Sequence, residues 1–176
     1  MSIQVSKEEW FRSIIAQYEQ RLIRYSARIA GNHEAAREVV QEAFLRLWQT
    51  EDESLDNVSA WLFRVCRNRA IDTLRRHKKI STVSIDGAAG LGLVAADSAT
   101  SEPDTVLMLA LKKLPENQQE IVRLKFQEDM SYADISEVTG LSVSNVGYLL
   151  HMAIKALRDT HTTSLKSSTK TKGRAQ

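Results

Sequence analysis

Between Ser59 and Lys79 the chain carries seven cations, Arg64, Arg67, Arg69, Arg75, Arg76, Lys78 and Lys79, against one acid, Asp72. Charge of one sign at that density is suited to holding phosphates. Wound as a helix, Leu62, Phe63, Cys66, Ala70 and Leu74 share one arc, and Trp61, Arg64, Asn68, Asp72 and Arg75 lie on the other. The second arc combines what a nucleic-acid strand requires. Arginines take the backbone, an asparagine amide can read a base edge, and an indole can stack on an unpaired base. The same pattern also fits a basic surface helix with Trp61 turned into the core, since tryptophan is more often buried than exposed.

A second constellation lies in SYADISEVTGLSVSNVGYLLHMAIKAL, Ser131 to Leu157. Tyr132, Ile135 and Val138 recur at helical spacing, and Gly140 can end that helix in the left-handed conformation. Leu141 is expected to point inward, and Ser142 to cap the next helix with its hydroxyl. Val143, Val146, Leu149, Leu150, Ala153 and Leu157 are expected on the buried side of that helix. Ser144, Asn145, Gly147, Tyr148, His151 and Lys155 are left on the open side. Two helices at a glycine turn, with small polar residues opening the second, form the helix-turn-helix pattern, which lays its second helix in a DNA major groove. An ordinary antiparallel helix pair fits the same spacing.

A third row, Glu38, Gln41, Glu42, Leu45 and Arg46, falls on the solvent side of a helix expected from about Glu34 to Gln49. Solvation explains the polar members. The leucine among them hints at a docking surface.

Other chemistries find no support. There is no glycine-rich phosphate loop with its lysine, no zinc-type Cys/His spacing and no nucleophile elbow. The four histidines, His33, His77, His151 and His161, are scattered. Neither catalysis, nor a metal, nor a cofactor is expected. The single cysteine, Cys66, excludes an internal disulfide and reads as a small core residue.

The elements that must position these residues are helical throughout. Only 2 prolines and 7 glycines interrupt 176 residues. Phe11, Ile14, Ile15, Tyr18, Leu22, Tyr25 and Ile29 form an apolar stripe over Lys7 to Ala30. Gly31 ends that helix and Asn32 can cap the next, in which Ala36, Val40, Ala43, Leu47 and Trp48 would face the first. Thr50 to Ser59 is a polar, acidic break, with Asn57 or Ser59 capping the basic helix after it. Val106, Leu109, Ala110 and Lys113 share a helical period, Pro115 suits a first helical position, and Ile121, Val122, Leu124 and Phe126 are expected as core. The fold class is all-α: two small helical domains, 1–79 and 105–160, with a flexible linker over 80–104 and a disordered basic tail over 161–176. The linker is mildly acidic, with Asp86, Asp97, Glu102 and Asp104.

The net charge is only +2, so affinity for nucleic acid must come from local clustering. No signal peptide opens the chain and no apolar stretch would span a bilayer, which points to a soluble, cytoplasmic setting.

Three stretches taken together, EVVQEAFLRLW (Glu38–Trp48), WLFRVCRNRAIDTLRR (Trp61–Arg76) and LPENQQEIVRLKF…MSYADISEVTGLSVSNV (Leu114–Val146), resemble bacterial RNA polymerase sigma factors of the extracytoplasmic-function group, within the sigma-70 family. The resemblance runs from about Ile15 to Arg158, in the right order. It implies a sigma region 2-like first domain. There Glu38, Gln41, Glu42 and Leu45 would dock on the clamp helices of the polymerase β′ subunit. Trp61, Arg64, Arg67, Asn68, Asp72, Arg75 and Arg76 would recognise and melt the −10 element, with Asn68 at the base-reading position. The Thr50–Ser59 loop would pocket a flipped base, and the linker acids would mimic nucleic acid in the polymerase cleft. The second domain is similar to region 4. It would take the β flap as partner and read the −35 element through Ser142, Ser144, Asn145, Tyr148, His151 and Lys155. After Val146 the chain departs from the family, which usually has a Lys-Ser-Arg run where Gly147, Tyr148 and Leu149 stand. The implied partners are core polymerase, promoter DNA and, as is frequent in the group, an anti-sigma factor; no small-molecule substrate is implied. The competing expectation is a polymerase-independent helix-turn-helix regulator, dimeric on paired half-sites.

Overall fold

A computed structural model describes residues 6–50, 55–83 and 102–172. Seven α-helices occur in order: α1 Lys7–Ala30, α2 His33–Gln49, α3 Val58–Val83, α4 Glu102–Lys112, α5 Glu116–Phe126, α6 Tyr132–Thr139 and α7 Val143–Lys172. No strand occurs among the described residues, and the all-α class stands. Two compact units divide the chain. One is built on α1–α3, the other on α4, α5, α7 and the greater part of α6.

α1, α2 and α3 begin where side chains satisfy first-turn N–H groups that have no partner within the helix. The Glu9 N–H donates to Ser6 Oγ at 3.2 Å and the Ser6 N–H donates back to Glu9 Oε2, a complete capping box on α1. Asn32 Oδ1 accepts from the Glu34 N–H at 2.8 Å to open α2. Of the two caps open for α3, Asn57 serves, its Oδ1 accepting from the Ala60 N–H at 3.0 Å. α1 stops at Gly31, which takes φ 72°. Pro115 stands one residue earlier than expected, as the residue before α5. Its carbonyl accepts from the Gln119 N–H, and Gln119 Nε2 donates to the Leu114 and Lys112 carbonyls, tying off the end of α4.

In the first unit, α1, α2 and α3 pack on one another. Leu22, Tyr25, Ala36, Ala43, Leu47, Leu62, Phe63, Cys66 and Ala70 are buried. Tyr25 and Phe63 meet with ring centroids 5.1 Å apart. The α1 stripe is not buried along its whole length. Ile14, Leu22 and Tyr25 are core, whereas Phe11, Ile15, Tyr18 and Ile29 are half-buried. Phe11 and Ile15 line an open groove of about 970 Å³ between α1 and α2. Trp48 does turn toward α1, 5.0 Å from the Phe11 ring, but stays partly exposed with Lys7 Nζ over its face. Phe44, absent from the expected core, is buried beside it. Cys66 is a core residue, as expected. Burial pushes its thiol up to about 12, with the neighbouring Ser26 hydroxyl acting in the opposite direction; the Ser26 Oγ is itself buried without a hydrogen-bond partner.

In the second unit, α4 and α5 pack on α7. The core holds Ala110, Leu111, Leu114, Ile121, Val122, Leu124, Met130, Ile135, Val146, Leu150 and Ala153. Four apolar or aromatic side chains expected inside, or on the core-facing period, are instead outside, Tyr132 among them at 42% exposed. Leu109 points outward because α4 presents Ala110 and Leu111 to α7. Phe126, the last residue of α5, is 64% exposed, and Met130 takes the interior place after a turn in which Asp129 adopts φ 53°. Val143 is 49% exposed. A helical side chain leans over the turn before it, and as the first residue of α7 it has no such turn.

The expected boundaries also shift. α3 continues past Lys79 to Val83, and α4 begins at Glu102, inside the segment expected as linker. The remainder of that segment, with Asp86 and Asp97, lies outside the described residues, as does 51–54 of the expected base-flipping loop. α7 continues beyond Thr160 to Lys172. Extending an anchored helix adds one hydrogen bond per residue fixed, and neither glycine nor proline intervenes before Gly173.

Candidate nucleic-acid interface

The α3 face is built by a simple division. Leu62, Phe63, Cys66 and Ala70 are fixed in the core, so the residues between them must point away from it. Asn68, Asp72, Arg75 and Arg76 are exposed, and Trp61, Arg64 and Arg67 are half-buried. Trp61 is thus neither wholly inside nor wholly outside, with part of its indole available to a base. Arg75 lies 3.8 Å from Asp72 one turn back, and Arg76 Nε donates to the Asp72 carbonyl. An ion pair so exposed contributes little and yields readily to a phosphate. The helix can therefore offer its cations to a strand without dismantling its own packing.

The α6–α7 pair is fixed at both sides of its turn. The Asp134 N–H donates to Ser131 Oγ at 3.1 Å and the Ser131 N–H donates to Asp134 Oδ2 at 2.9 Å, a second capping box. Gly140 takes φ 74°, Ser136 Oγ donates to the Leu141 carbonyl at 2.6 Å, and the Asn145 N–H donates to Ser142 Oγ at 3.2 Å. Ile135, Val146, Leu150 and Ala153 hold the pair in the core. Ser142, Ser144, Asn145, Tyr148, His151 and Lys155 are all exposed at or along α7. Ser142 spends its oxygen on the cap, which leaves its own O–H as the group free to donate. His151 and Lys155 also border a shallow depression with Arg158 and Asp159.

The row on α2 separates into two kinds. Glu38, Gln41 and Leu45 are exposed, with Leu45 at 54%. Gln41 and Leu45 rim the α1–α2 groove, whose floor includes Val40 and Phe44. Glu42 is different. One carboxylate oxygen accepts from Arg69 Nε of α3 at 2.5 Å and the other from Arg46 at 2.8 Å. It is already neutralised by two guanidinium groups and joins α2 to α3. Sequence reading missed this partner because Arg69 lies 27 residues away.

Among the described residues no group of three or more His, Cys, Asp or Glu could hold a metal ion, and no helix is long and apolar enough to cross a membrane.

Comparison with known proteins places these helices in context. The family model for Sigma-70 region 2 matches residues 14–80, and that for Sigma-70, region 4 matches residues 105–157. The chain is 30% identical over 152 residues to the ECF RNA polymerase sigma factor SigL of Mycobacterium tuberculosis, covering 84% of this chain and 86% of that one. It is 29% identical over 166 residues to the ECF RNA polymerase sigma factor SigW of Bacillus subtilis, covering 86% and 88%. In fold it is similar to the sigma factor RpoE of Bartonella quintana, solved with the anti-sigma factor NepR, at TM-score 0.63 and 20% identity over 88% of this chain and 98% of that one. It is likewise similar to CnrH, solved with the cytosolic domain of CnrY, at TM-score 0.59 and 22% identity over 90% and 91%.

Proposed function

The chain belongs to the extracytoplasmic-function group of the sigma-70 family of RNA polymerase sigma factors, and from that membership we infer how its residues divide the work of initiation. As a sigma factor it directs core RNA polymerase to specific promoters, with region 2 at the −10 element and region 4 at the −35 element.

The observation that supports the residue assignments is the coincidence of each matched region with an outward polar face. On α3, Arg64, Arg67, Arg75 and Arg76 hold the backbone of the melted strand, Asn68 reads a base edge, and Trp61 stacks on an unpaired base. Asp72 keeps Arg75 aligned until a phosphate replaces it. Capturing exposed bases offsets the cost of unstacking, on the order of a few kcal/mol per step. At the start of α7 and along it, Ser142, Ser144, Asn145, Tyr148, His151 and Lys155 face the −35 major groove. On α2, Leu45 and Gln41 engage the clamp helices of β′ at the groove rim, with Glu38 beside them. Glu42 acts more by fixing α2 against α3 than as a free docking acid. The β flap is the partner of the second unit.

Nucleotide addition belongs to the polymerase, and this chain works with it in the cytoplasm. An anti-sigma factor is a further partner, by analogy with the two similar sigma factors solved with such proteins. A dimeric helix-turn-helix regulator would account for α6 and α7 but would leave the region 2 match over 14–80 without a role.

The test is run-off transcription with purified core polymerase on chromosomal fragments. Initiation at discrete start sites is expected only when this chain is added. Absence of directed initiation from every fragment would overturn the reading.

A further inference from the structure

The outward face of α7 carries little of the charge that usually reads duplex DNA. From Val143 to Lys155 the only lysine or arginine is Lys155. In place of cations the first two turns present apolar surface. Val143 is 49% and Tyr148 61% exposed, while the core duty of the helix falls to Val146, Leu150 and Ala153. Ser144 and Asn145, both exposed, lie between them. These are the turns that a recognition helix brings to the base edges. In the major groove the one apolar group that any base pair presents is the thymine methyl.

We propose that α7 reads thymines in the −35 duplex, with Val143 and Tyr148 making apolar contact to their 5-methyl groups. Val143, at the first helical position, reaches the base nearest the N-terminus. Tyr148 reads a position further along, across a flank that Gly147 leaves without a side chain. Asn145 is then the chief residue able to pair with a base edge in the same turns. The inference rests on the assignment of α7 to the −35 element.

The experiment uses holoenzyme formed from core polymerase and the full chain. Promoter fragments carry a fixed −10 element and a randomised −35 segment, and bound fragments are sequenced. Thymine is expected at two positions, one losing its preference in Val143→Ala and the other in Tyr148→Ala, while Tyr148→Phe keeps it. Replacing either thymine by uracil removes only a methyl. It is expected to weaken binding of the unaltered protein by roughly fourfold, the equivalent of one buried carbon, and to leave the matching alanine variant unchanged. Guanine or cytosine at the affected positions, or no response of the unaltered protein to uracil, overturns the proposal. So does a loss of core binding in the variants, which would mark the pair as covered by protein. Failure of the sigma reading itself would appear separately, as the unaltered holoenzyme failing to initiate from the fixed −10 promoter.

Discussion

Gly147 sits inside α7, where glycine lowers helix stability by roughly 1 kcal/mol relative to alanine. Packing does not demand it, since a Cβ there would meet Tyr132 Cε2 at 3.6 Å, an ordinary contact. Gly147→Ala is therefore expected to raise unfolding free energy by ~0.5–1 kcal/mol in urea titration. Close approach of backbone to DNA is the remaining use for a bare position. The same variant is expected to weaken −35-dependent promoter binding, and unchanged binding would remove Gly147 from the reading surface. Cys66 supports a prediction with a definite sign. The unfolded thiol titrates near 9.0 and the folded one at about 12, so the proton is held more tightly in the native state. Its contribution is complete below the unfolded value and is lost as pH rises through the window from 9.0 to about 12. Wild type should lose stability more steeply than Cys66→Ala across that window, by on the order of a few kcal/mol. Parallel pH profiles of the two proteins would refute the buried thiol's role.

Helix limits were legible because caps are local chemistry. Gly31, Asn32, Gly140 and Ser142 each signal an end or a start within a few residues, and each does so in the structure. Faces near helix ends were not legible. Phe126 and Val143 keep the apolar period, yet lack a neighbouring turn or partner to cover them. Nor was the link between α2 and α3, since nothing local pairs Glu42 with Arg69. Gly140→Ala meets no neighbour, so its whole cost is the left-handed backbone, about 1–2 kcal/mol, measurable by thermal unfolding. Arg69→Ala leaves Glu42 with Arg46 alone, and is expected to lower both stability and association with core polymerase. Glu42→Gln should do the same more mildly. If Arg69→Ala bound core normally, the pairing would have no bearing on docking.

At the scale of the whole molecule, the division into two helical units could be read from the glycine- and serine-rich stretch between two periodic segments. The extent of that stretch could not, because helix propagates past the last apolar residue of the α3 core and α4 already begins at Glu102. The small net charge of +2 sets a further expectation. Isolated protein should bind free duplex weakly, with a shallow dependence on salt, whereas holoenzyme should bind promoter tightly. Tight, sequence-specific gel shifts by the protein alone would contradict this.

The lone sulfhydryl, closed in behind Ser26 at the centre of the first unit, leaves the protein's exterior blank to maleimide chemistry below alkaline pH. A cysteine introduced at an exposed position such as Ala16 or Ala133 would take a dye selectively, with no native residue to remove first. Fluorophores placed one per unit would then follow the passage from free subunit to open promoter complex in real time.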